Sequence, residues 1–399
     1  LNEWHPLVNV FEIMLSREDD TANRIELLLR IGELHVDKVG DGEKAFDAYS
    51  RCFKEQPENE QARTELERLA DIQDSWESLA GLYEEATSEA LDAALQLELL
   101  MTLATIMDDR LEQPERAVEF YRRAQEFEPD NPATLEALEK LYTRQERWSD
   151  LLEVFRRRAE LTSDPDEREE LYFQMAGLYE DMLGDMDEAI NTYREILVQS
   201  DANERALSAL DRLYTQQENW AELSENLTRQ LELTHDNAST MALLLRLAAL
   251  REHKLSEIEA AVETYRKVLE LDPTNDPAVE ALEGLISNEE HQLAVSQILE
   301  PIYKISDDWR KLVGIYEIMV SHSFDPASKI ELLHRMGRLY EVDGDDARGA
   351  FEVYGRALRE DPANDESQER IEHLSIELEC WEDLVAIYNE LVVDVMDEV

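Results

Sequence analysis

The chain has 399 residues, of which 93 are acidic and 39 basic, so its formal net charge is −54. This charge repels polyanions, and we therefore predict no direct binding to nucleic acid or to anionic membranes. Hydrophobic residues make up 43% of the chain, whereas Gly and Pro number only 12 and 11, which favours a mostly helical fold with short turns. The sequence contains no run of about 18 apolar residues, so no membrane span is predicted.

The excess of carboxylates has two interpretations. It is either a solvated surface that keeps the protein soluble, in ordinary or saline surroundings, or a field that attracts a basic partner. Cys52 and Cys380 lie far apart in helical patterns, which predicts buried, reduced thiols rather than a disulfide framework. The chain starts and ends within a repeat and shows no leader. We therefore expect part of a longer array, located in the cytoplasm.

The six tryptophans recur at a nearly constant spacing, and each precedes a short amphipathic segment. Successive tryptophans are 72, 72, 72, 89 and 72 residues apart. A fixed long period is typical of solenoid proteins built from stacked repeats. We predict that each tryptophan packs between hairpins, with an aromatic binding ladder as the alternative. The six positions are Trp4, Trp76, Trp148, Trp220, Trp309 and Trp381.

After each tryptophan helix, a second helix is predicted by apolar residues at i and i+3 and a small residue at i+4. The small residue indicates a closely packed stripe. The first apolar column is Leu28, Leu100, Tyr172, Leu244 and Leu333. The small column is Gly32, Ala104, Ala176, Ala248 and Gly337.

Two further helices complete each unit. In the third helix a small Ala allows close approach of a neighbour, and a Tyr four residues later fills the space between hairpins. Pro then stops the helix, and Asn caps the fourth helix. The Ala column is Ala45, Ala117, Ala189, Ala261 and Ala350. The Tyr column is Tyr49, Tyr121, Tyr193, Tyr265 and Tyr354. The Asn column is Asn59, Asn131, Asn203, Asn275 and Asn364.

These columns resemble the tetratricopeptide repeat (TPR). The segment from Leu333 to Pro362 is the best example, although its turn holds one residue more than the usual TPR. The fourth helix and the next tryptophan helix resemble a more divergent TPR, similar also to the half-a-TPR (HAT) repeat. The resemblance implies an all-α, right-handed α-solenoid with four helices in each 72-residue unit.

One interval between tryptophans is longer than the others. Trp220 and Trp309 are 89 residues apart, 17 more than the usual 72. The extra residues resemble a duplicated fourth helix that would bend the solenoid, and Pro301 would kink this helix or end it early. We therefore predict a solenoid over residues 1–290, with units starting at Trp4, Trp76, Trp148 and Trp220. An inserted helix covers 291–308, and the solenoid continues over 309–399, with a partial last unit.

The sequence contains no recognisable catalytic, cofactor-binding or metal-ligating motif. We therefore predict a non-enzymatic chain without a cofactor. The TPR resemblance implies a scaffold or adaptor that binds protein partners through its concave face. One alternative is a HAT-type scaffold of an RNA-processing assembly. Another is a regulatory or spacer arm of a larger protein whose enzyme domain lies outside this sequence.

The resemblance also implies which helix lines the binding groove, namely the first helix of each hairpin. There, carboxylates flank an apolar position in the first three units. This pattern fits a basic or amphipathic peptide held by charge attraction and apolar contacts; alternatively, the carboxylates face water and the apolar column belongs to the core. The predicted groove residues are Glu26, Leu29, Asp37, Glu98, Met101, Asp109, Glu170, Phe173 and Asp181.

Overall fold

The structure is a computed structural model that describes the backbone of residues 4–397 and the side chains of residues 4–392. Within these residues the secondary structure is helical, without strands. The predicted all-α repeat fold is therefore confirmed. The chain divides into two compact units, Leu1–Gln199 and Ser200–Val399.

Unit 1 contains eleven helices within its described residues, and they form consecutive antiparallel hairpins after an initial tryptophan helix. The helices are α1 (His5–Leu15), α2 (Thr21–Leu34), α3 (Gly42–Glu55), α4 (Glu60–Gln73), α5 (Trp76–Glu89), α6 (Ala93–Asp109), α7 (Pro114–Phe127), α8 (Pro132–Arg144), α9 (Trp148–Leu161), α10 (Pro165–Gly177) and α11 (Met186–Gln199). Wide π-helical turns, His35–Val39 and Leu178–Leu183, extend α2 and α10.

Unit 2 also contains eleven helices within its described residues. They are α12 (Glu204–Gln216), α13 (Trp220–Leu233), α14 (Asn237–Leu250), α15 (Ile258–Leu271), α16 (Asp276–Leu285), α17 (Gln292–Ile305), α18 (Trp309–His322), α19 (Pro326–Val342), α20 (Ala347–Glu360), α21 (Asp365–Glu377) and α22 (Trp381–Asp397). A third π-helical turn, Arg251–Leu255, extends α14.

In unit 1 the first helices of successive hairpins, α2, α4, α6 and α8, are joined by polar contacts. The Gln61 amide of α4 donates to Glu33 of α2 over 3.1 Å. On its other side, α4 reaches α6 through the ion pair between Arg63 and Glu98. Helix α4, the first helix of the divergent hairpin α4/α5, thus lies between α2 and α6, the first helices of two regular hairpins.

The second helices of unit 1 are joined in the same way. Arg51 of α3 pairs with Glu12 of α1 over 2.9 Å, and Arg116 of α7 pairs with Glu77 of α5 over 3.2 Å. These pairs are partly exposed, so each adds little stability by itself. Their regular placement nevertheless shows that first and second helices form separate rows.

Unit 2 has corresponding connections. Two guanidinium nitrogens of Arg246 in α14 donate to the Asp211 carboxylate of α12, one of them over 2.6 Å. Arg356 of α20 holds Glu317 of α18 in the same bidentate manner, at 2.6 and 2.8 Å. Bidentate geometry is the strongest form of such a pair because both nitrogens are used.

Two kinds of turn alternate between the helices of a hairpin. In the regular hairpins a backbone amide reaches back six residues, as from Asp41 to the His35 carbonyl at 3.0 Å. In the tryptophan hairpins the corresponding bond spans five residues, as from Arg147 to Tyr142 at 2.9 Å. The regular hairpin therefore contains the one additional turn residue seen in the sequence.

Both kinds of turn place one residue in the left-handed region, two positions before the second helix. Gly40 and Gly184 take this conformation readily because they lack a Cβ atom. At the other turns the residue is polar, and it is acidic at all but one. The positions with a side chain are Asp74, Glu112, Glu146, Glu218, Ser256, Asp307, Asp345 and Glu379.

The predicted capping role of the Asn column is confirmed. In each case the side-chain oxygen accepts from the backbone amide three residues later, at about 3 Å, as from Thr134 to Asn131 at 3.1 Å. The helices capped in this way are α4, α8, α12, α16 and α21. The Ala column is fully buried at all five positions, as close packing requires.

Helices α5, α9, α13, α18 and α22 begin at a tryptophan, and α1 begins directly after Trp4. Trp76 is 8% exposed and packs under the guanidinium of Arg110, whose carbon lies 4.8 Å from the ring centroid. The Trp309 and Tyr340 rings pack edge to face, with 5.8 Å between their centroids. Trp4 and Trp381 are more accessible, at 38% and 50% exposure. The ring environment thus varies along the column.

The additional residues of the long interval form a helix of their own. Helix α17 contains Pro301 and continues to Ile305, so the expectation that Pro301 ends the helix early is wrong. Its turn to α18 has the five-residue bond of a tryptophan hairpin, from Asp308 to the Tyr303 carbonyl at 3.1 Å. The short α16 therefore lies between the hairpins α14/α15 and α17/α18.

Both cysteines are free thiols, as predicted. Cys52 is fully buried in α3, and this burial raises the pKa of its thiol to about 11. Cys380 is only partly buried because it stands in the turn before α22 rather than inside a helix. The prediction of burial is therefore correct for Cys52 and wrong for Cys380.

Candidate partner-binding surface

The carboxylates predicted to line the groove lie on α2, α6 and α10 and on the turns that follow them. Their residues are exposed to solvent in the structure: Glu26, Asp37, Glu98, Asp109, Glu170 and Asp181. Acidic side chains at the surface contribute to the electrostatic field that a partner meets. We call these six residues the acidic columns.

The apolar residues between these carboxylates are less accessible. Leu29 and Met101 are half-buried and pack against the core. The Thr134 hydroxyl of α8 donates to the Met101 sulfur at 2.9 Å. Phe173 is 6% exposed, and its ring centroid lies 6.0 Å from that of Tyr193. Phe173 therefore contributes to the interior, whereas Leu29 and Met101 each keep part of their surface open.

Two of the predicted residues line one groove. Glu26 and Leu29 lie in a groove of about 710 Å³ between α1, α2 and α4. Phe11 and Met14 of α1 add apolar surface to it, and Gln61 of α4 adds an amide. Carboxylate, amide and apolar surface are thus combined in a space open to solvent. Such a combination suits an amphipathic peptide.

The structure also shows residues that the sequence reasoning missed. Arg63 of α4 pairs with Glu98, whose side chain stays 57% exposed. Arg144 of α8 likewise pairs with Asp108, next to Asp109. These arginines were not predicted because each column aligns residues that are one full 72-residue unit apart. Residues of α4 and α8 were therefore never aligned with those of the acidic helices. The 35-residue spacing of the hairpins would have placed α4 and α8 between the acidic helices.

The basic residues cannot neutralise this surface. Even if every Lys and Arg paired with one carboxylate, 93 − 39 = 54 carboxylates would lack a basic counterpart. Many basic residues are already committed within the fold, as Arg63 and Arg144 show. The protein as a whole therefore has a negative field, which weakens as salt is added.

Unit 2 has a groove beside α14, the helix equivalent to α2, but on its other side. A space of about 620 Å³ lies between α12, the end of α13 and α14. Ala242 of α14 lines it at the position that Glu26 occupies in α2, and Leu243 stands beside it. The carboxylates in this groove are Glu204 and Asp236, from other positions of the repeat. The column that contains Glu26 is therefore interrupted at α14, although Glu331 occupies the equivalent position on α19.

Among the described helices, none is long and apolar enough to cross a membrane. Within the same part of the chain, His, Cys, Asp and Glu side chains form no cluster suited to a metal ion.

Comparison with known families decides what kind of repeat this is. Models described as tetratricopeptide repeat match residues 134–169, 170–200, 206–240 and 244–275. The four matched segments, within residues 134–275, are tetratricopeptide repeats. The first and third matched segments include the tryptophan hairpins α8/α9 and α12/α13. These two divergent hairpins are therefore TPRs as well, like the regular hairpins α10/α11 and α14/α15.

This TPR chain is also similar to solved structures, although no curated protein sequence matches it significantly. A complex of Naa15/Naa10 bound to HypK-THB aligns over 92% of this chain and 63% of that chain, with 14% identity and a TM-score of 0.36. The chain thus spans less than two thirds of that relative's length. The TPR2AB domain of yeast Sti1 aligns over 71% and 99% of the two chains, with 12% identity and a TM-score of 0.27. The TPR protein YrrB aligns over 51% of this chain and 98% of that chain, with 15% identity and a TM-score of 0.25.

The TPR assignment supports a protein-interaction scaffold as the general role of the chain.

Proposed function

We propose that this TPR chain binds partner proteins through the first helices of unit 1, where the acidic columns flank partly open apolar side chains. The preferred ligand is a basic or amphipathic segment of a partner protein. The groove with Glu26 and Leu29 carries the proposal because it combines an exposed carboxylate with accessible apolar surface. Charge attraction speeds the encounter, and the apolar contacts supply specificity.

The arrangement of the carboxylates supports a surface longer than one groove. Glu26 lies on α2, Glu98 on α6 and Glu170 on α10, so equivalent carboxylates recur on alternate first helices. An extended basic segment would meet one such carboxylate at every second hairpin. No catalytic step is needed for this role.

The test is a capture experiment with the whole chain as bait and proteins identified by mass spectrometry. One variant combines Glu26→Lys, Asp109→Lys and Asp181→Lys on the first helices. The matched control combines Glu119→Lys, Glu126→Lys and Glu153→Lys, three exposed glutamates on the second helices α7 and α9. Both variants change the net charge equally.

We expect basic proteins that are released by high salt, captured by wild type and by the control and lost with the first-helix variant. Equal loss with both variants would show that total charge, rather than this surface, attracts the partners. Equal capture by all three proteins would contradict the proposal, as would a wild-type bait that captures nothing.

A further inference from the structure

A second groove, separate from the acidic columns, lies between α15 and α17 in unit 2. Its volume is about 790 Å³, and its lining comes from one face of each helix. On α15 this face runs from Glu259 to Glu270, a length of about 16 Å or three helical turns. A groove of these dimensions has the length of one short helix.

The inserted residues account for this open face. Arg122 of α7 and Arg266 of α15 are equivalent, since they stand 144 residues, or two units, apart. The Arg122 guanidinium donates to Tyr142 of the next hairpin at 2.8 Å and pairs with Asp150 of α9. Arg266 instead donates within its own helix, to Glu263 and Glu270, each at 2.8 Å. The face of α15 that would meet the next tryptophan helix thus borders the groove.

The floor of the groove is apolar. Val262 and Leu269 of α15 are buried beneath it, and Ile298 and Ile302 of α17 are half-buried beside them. The isoleucines are four residues apart, so they lie one turn apart on the same face of α17. An apolar floor of this kind receives the apolar side of an amphipathic helix.

The rim on α15 is negative. Glu259, Glu263 and Glu270 face the groove with a single cation, Arg266, among them. Arg266 already pairs with Glu263 and Glu270, so this rim has a net charge of −2 (three glutamates and one arginine). A basic side chain at the edge of a bound helix would therefore be attracted to the α15 rim.

The rim on α17 offers a hydrogen-bond acceptor. Pro301 has no amide hydrogen, so the Gln297 carbonyl one turn earlier lacks its normal helical donor. Both Gln297 and Pro301 are exposed and line the groove. A Lys or Arg side chain of a ligand can donate to this carbonyl.

From the apolar floor and the charge of the rim, we propose that the α15–α17 groove binds an amphipathic helix of about three turns from a partner protein, with Lys or Arg beside its apolar residues. This site goes beyond the proposed function because it lies in unit 2 and includes none of the acidic columns. The chain therefore has two separate surfaces for partner proteins.

The experiment is a selection from a phage-displayed library of helical peptides about four turns long, with the whole chain as target. Enriched peptides are synthesised, and their affinities are measured by fluorescence anisotropy at low and high salt. We expect peptides with apolar residues at i, i+4 and i+7 and with Lys or Arg beside them, which bind more weakly at high salt.

Ala294→Lys and Ile298→Glu test the site from an exposed and a half-buried position of α17. We expect each to weaken binding about tenfold or more. The control is Ile376→Glu on α21, a 61% exposed position outside the groove, which should bind as wild type does. If Ile298→Glu lowers the thermal midpoint, Ala294→Lys decides the outcome.

Three results of the peptide experiment would overturn the proposal. The selection could enrich no peptide, the enriched peptides could lack the basic amphipathic pattern, or they could bind Ala294→Lys as tightly as wild type. Dimerisation that Ala294→Lys abolishes would likewise overturn it, because a second copy would then fill the groove. The first-helix variant with Glu26→Lys, Asp109→Lys and Asp181→Lys should retain peptide binding, so this site and the proposed function can fail independently.

Discussion

Gly337 faces the ring of Tyr354 so closely that a Cβ atom on Gly337 would lie 2.5 Å from the ring carbon Cζ. The pair Gly32 and Tyr49 has the same geometry, with 2.5 Å to the equivalent atom. These two tyrosines are the most deeply buried of their column, at 0% and 1% exposure. The tyrosines opposite an alanine keep slightly more exposure: Tyr121, Tyr193 and Tyr265. The residue in the small column therefore determines how deeply the tyrosine opposite it is buried.

Gly337→Ala should destabilise unit 2 by about 1–2 kcal/mol. Overpacking costs about 1–3 kcal/mol, and the better helix propensity of alanine returns up to about 1 kcal/mol. The measurement is the free energy of unfolding in urea. Gly314→Ala on α18 is the matched control because nothing lies within 4 Å of its Cβ position. That control should stabilise by about 0.5–1 kcal/mol. A Gly337→Ala protein as stable as wild type would show that the tyrosine can move aside.

Trp76→Ala should cost about 3–5 kcal/mol because Trp76, at 8% exposure, is the most buried of the six tryptophans. Trp381→Ala should cost no more than about half as much, since half of that side chain is already in water. Thermal and urea unfolding of both variants provide the measurement. Equal losses would mean that the exposed tryptophan stabilises its helix by a contact other than burial.

Asn131→Ala should destabilise unit 1 by about 1 kcal/mol, within a range of about 0.5–2. The Asn131 oxygen accepts from the Thr134 amide at 3.1 Å, and alanine leaves that amide without its cap. Asn131→Ser is the control because a serine hydroxyl can accept the same bond, whereas an aspartate would stand beside Glu128, which accepts from the Asn131 amide at 2.7 Å. The prediction fails if Asn131→Ala and Asn131→Ser unfold at the same urea concentration.

His334 should make unit 2 sensitive to mild acid. Its Nε2 lies 2.6 Å from the Ser367 hydroxyl and its Nδ1 lies 3.2 Å from Glu366. Burial lowers the pKa of His334 below its ordinary value of 6.5, although Glu366 opposes the shift. The unfolded chain then binds more protons, so this contribution to stability is present above about pH 6.5 and is lost as the pH falls below it.

The measurement compares the free energy of unfolding of wild type and His334→Gln as the pH is lowered from neutrality. One proton changes the free energy by at most about 1.4 kcal/mol per pH unit. We expect wild type to lose more stability than the variant over this range. Parallel curves for the two proteins would show that His334 does not titrate in this range.

Short-range sequence patterns predict the local features of this fold well. The Asn caps and the helix starts at tryptophan depend on residues only a few positions apart, and the structure contains them where expected. The shape of the turn was not predictable in the same way. Helix α2 ends in a π-helical turn, whereas α6 remains α-helical to Asp109. Both reach the same six-residue bond, from Asp41 to His35 and from Gln113 to Met107. Two backbone paths therefore satisfy the same sequence pattern.

The candidate site shows where periodicity stops being informative. Leu29, Met101 and Phe173 share one column, yet only the first two are partly open, because the depth of a side chain depends on the neighbouring helix. Arg63 comes from a helix that the column comparison passed over. A helical stripe predicts which face of its own helix is apolar. It does not predict which side chains an adjacent helix adds to that face, and these are seen only in the structure.

The inter-hairpin contacts of unit 1 also bear on how such a protein changes in length over evolution. Gln61 and Glu33 are 28 residues apart, and Arg63 and Glu98 are 35 apart, so these bonds connect neighbouring hairpins. Excision of residues 76–147 would move Trp148 to the place of Trp76 and bring equivalent columns together at the new junction. Since stability in such arrays is nearly a sum over neighbours, an ancestral chain could gain or lose whole 72-residue modules while reusing the same interface.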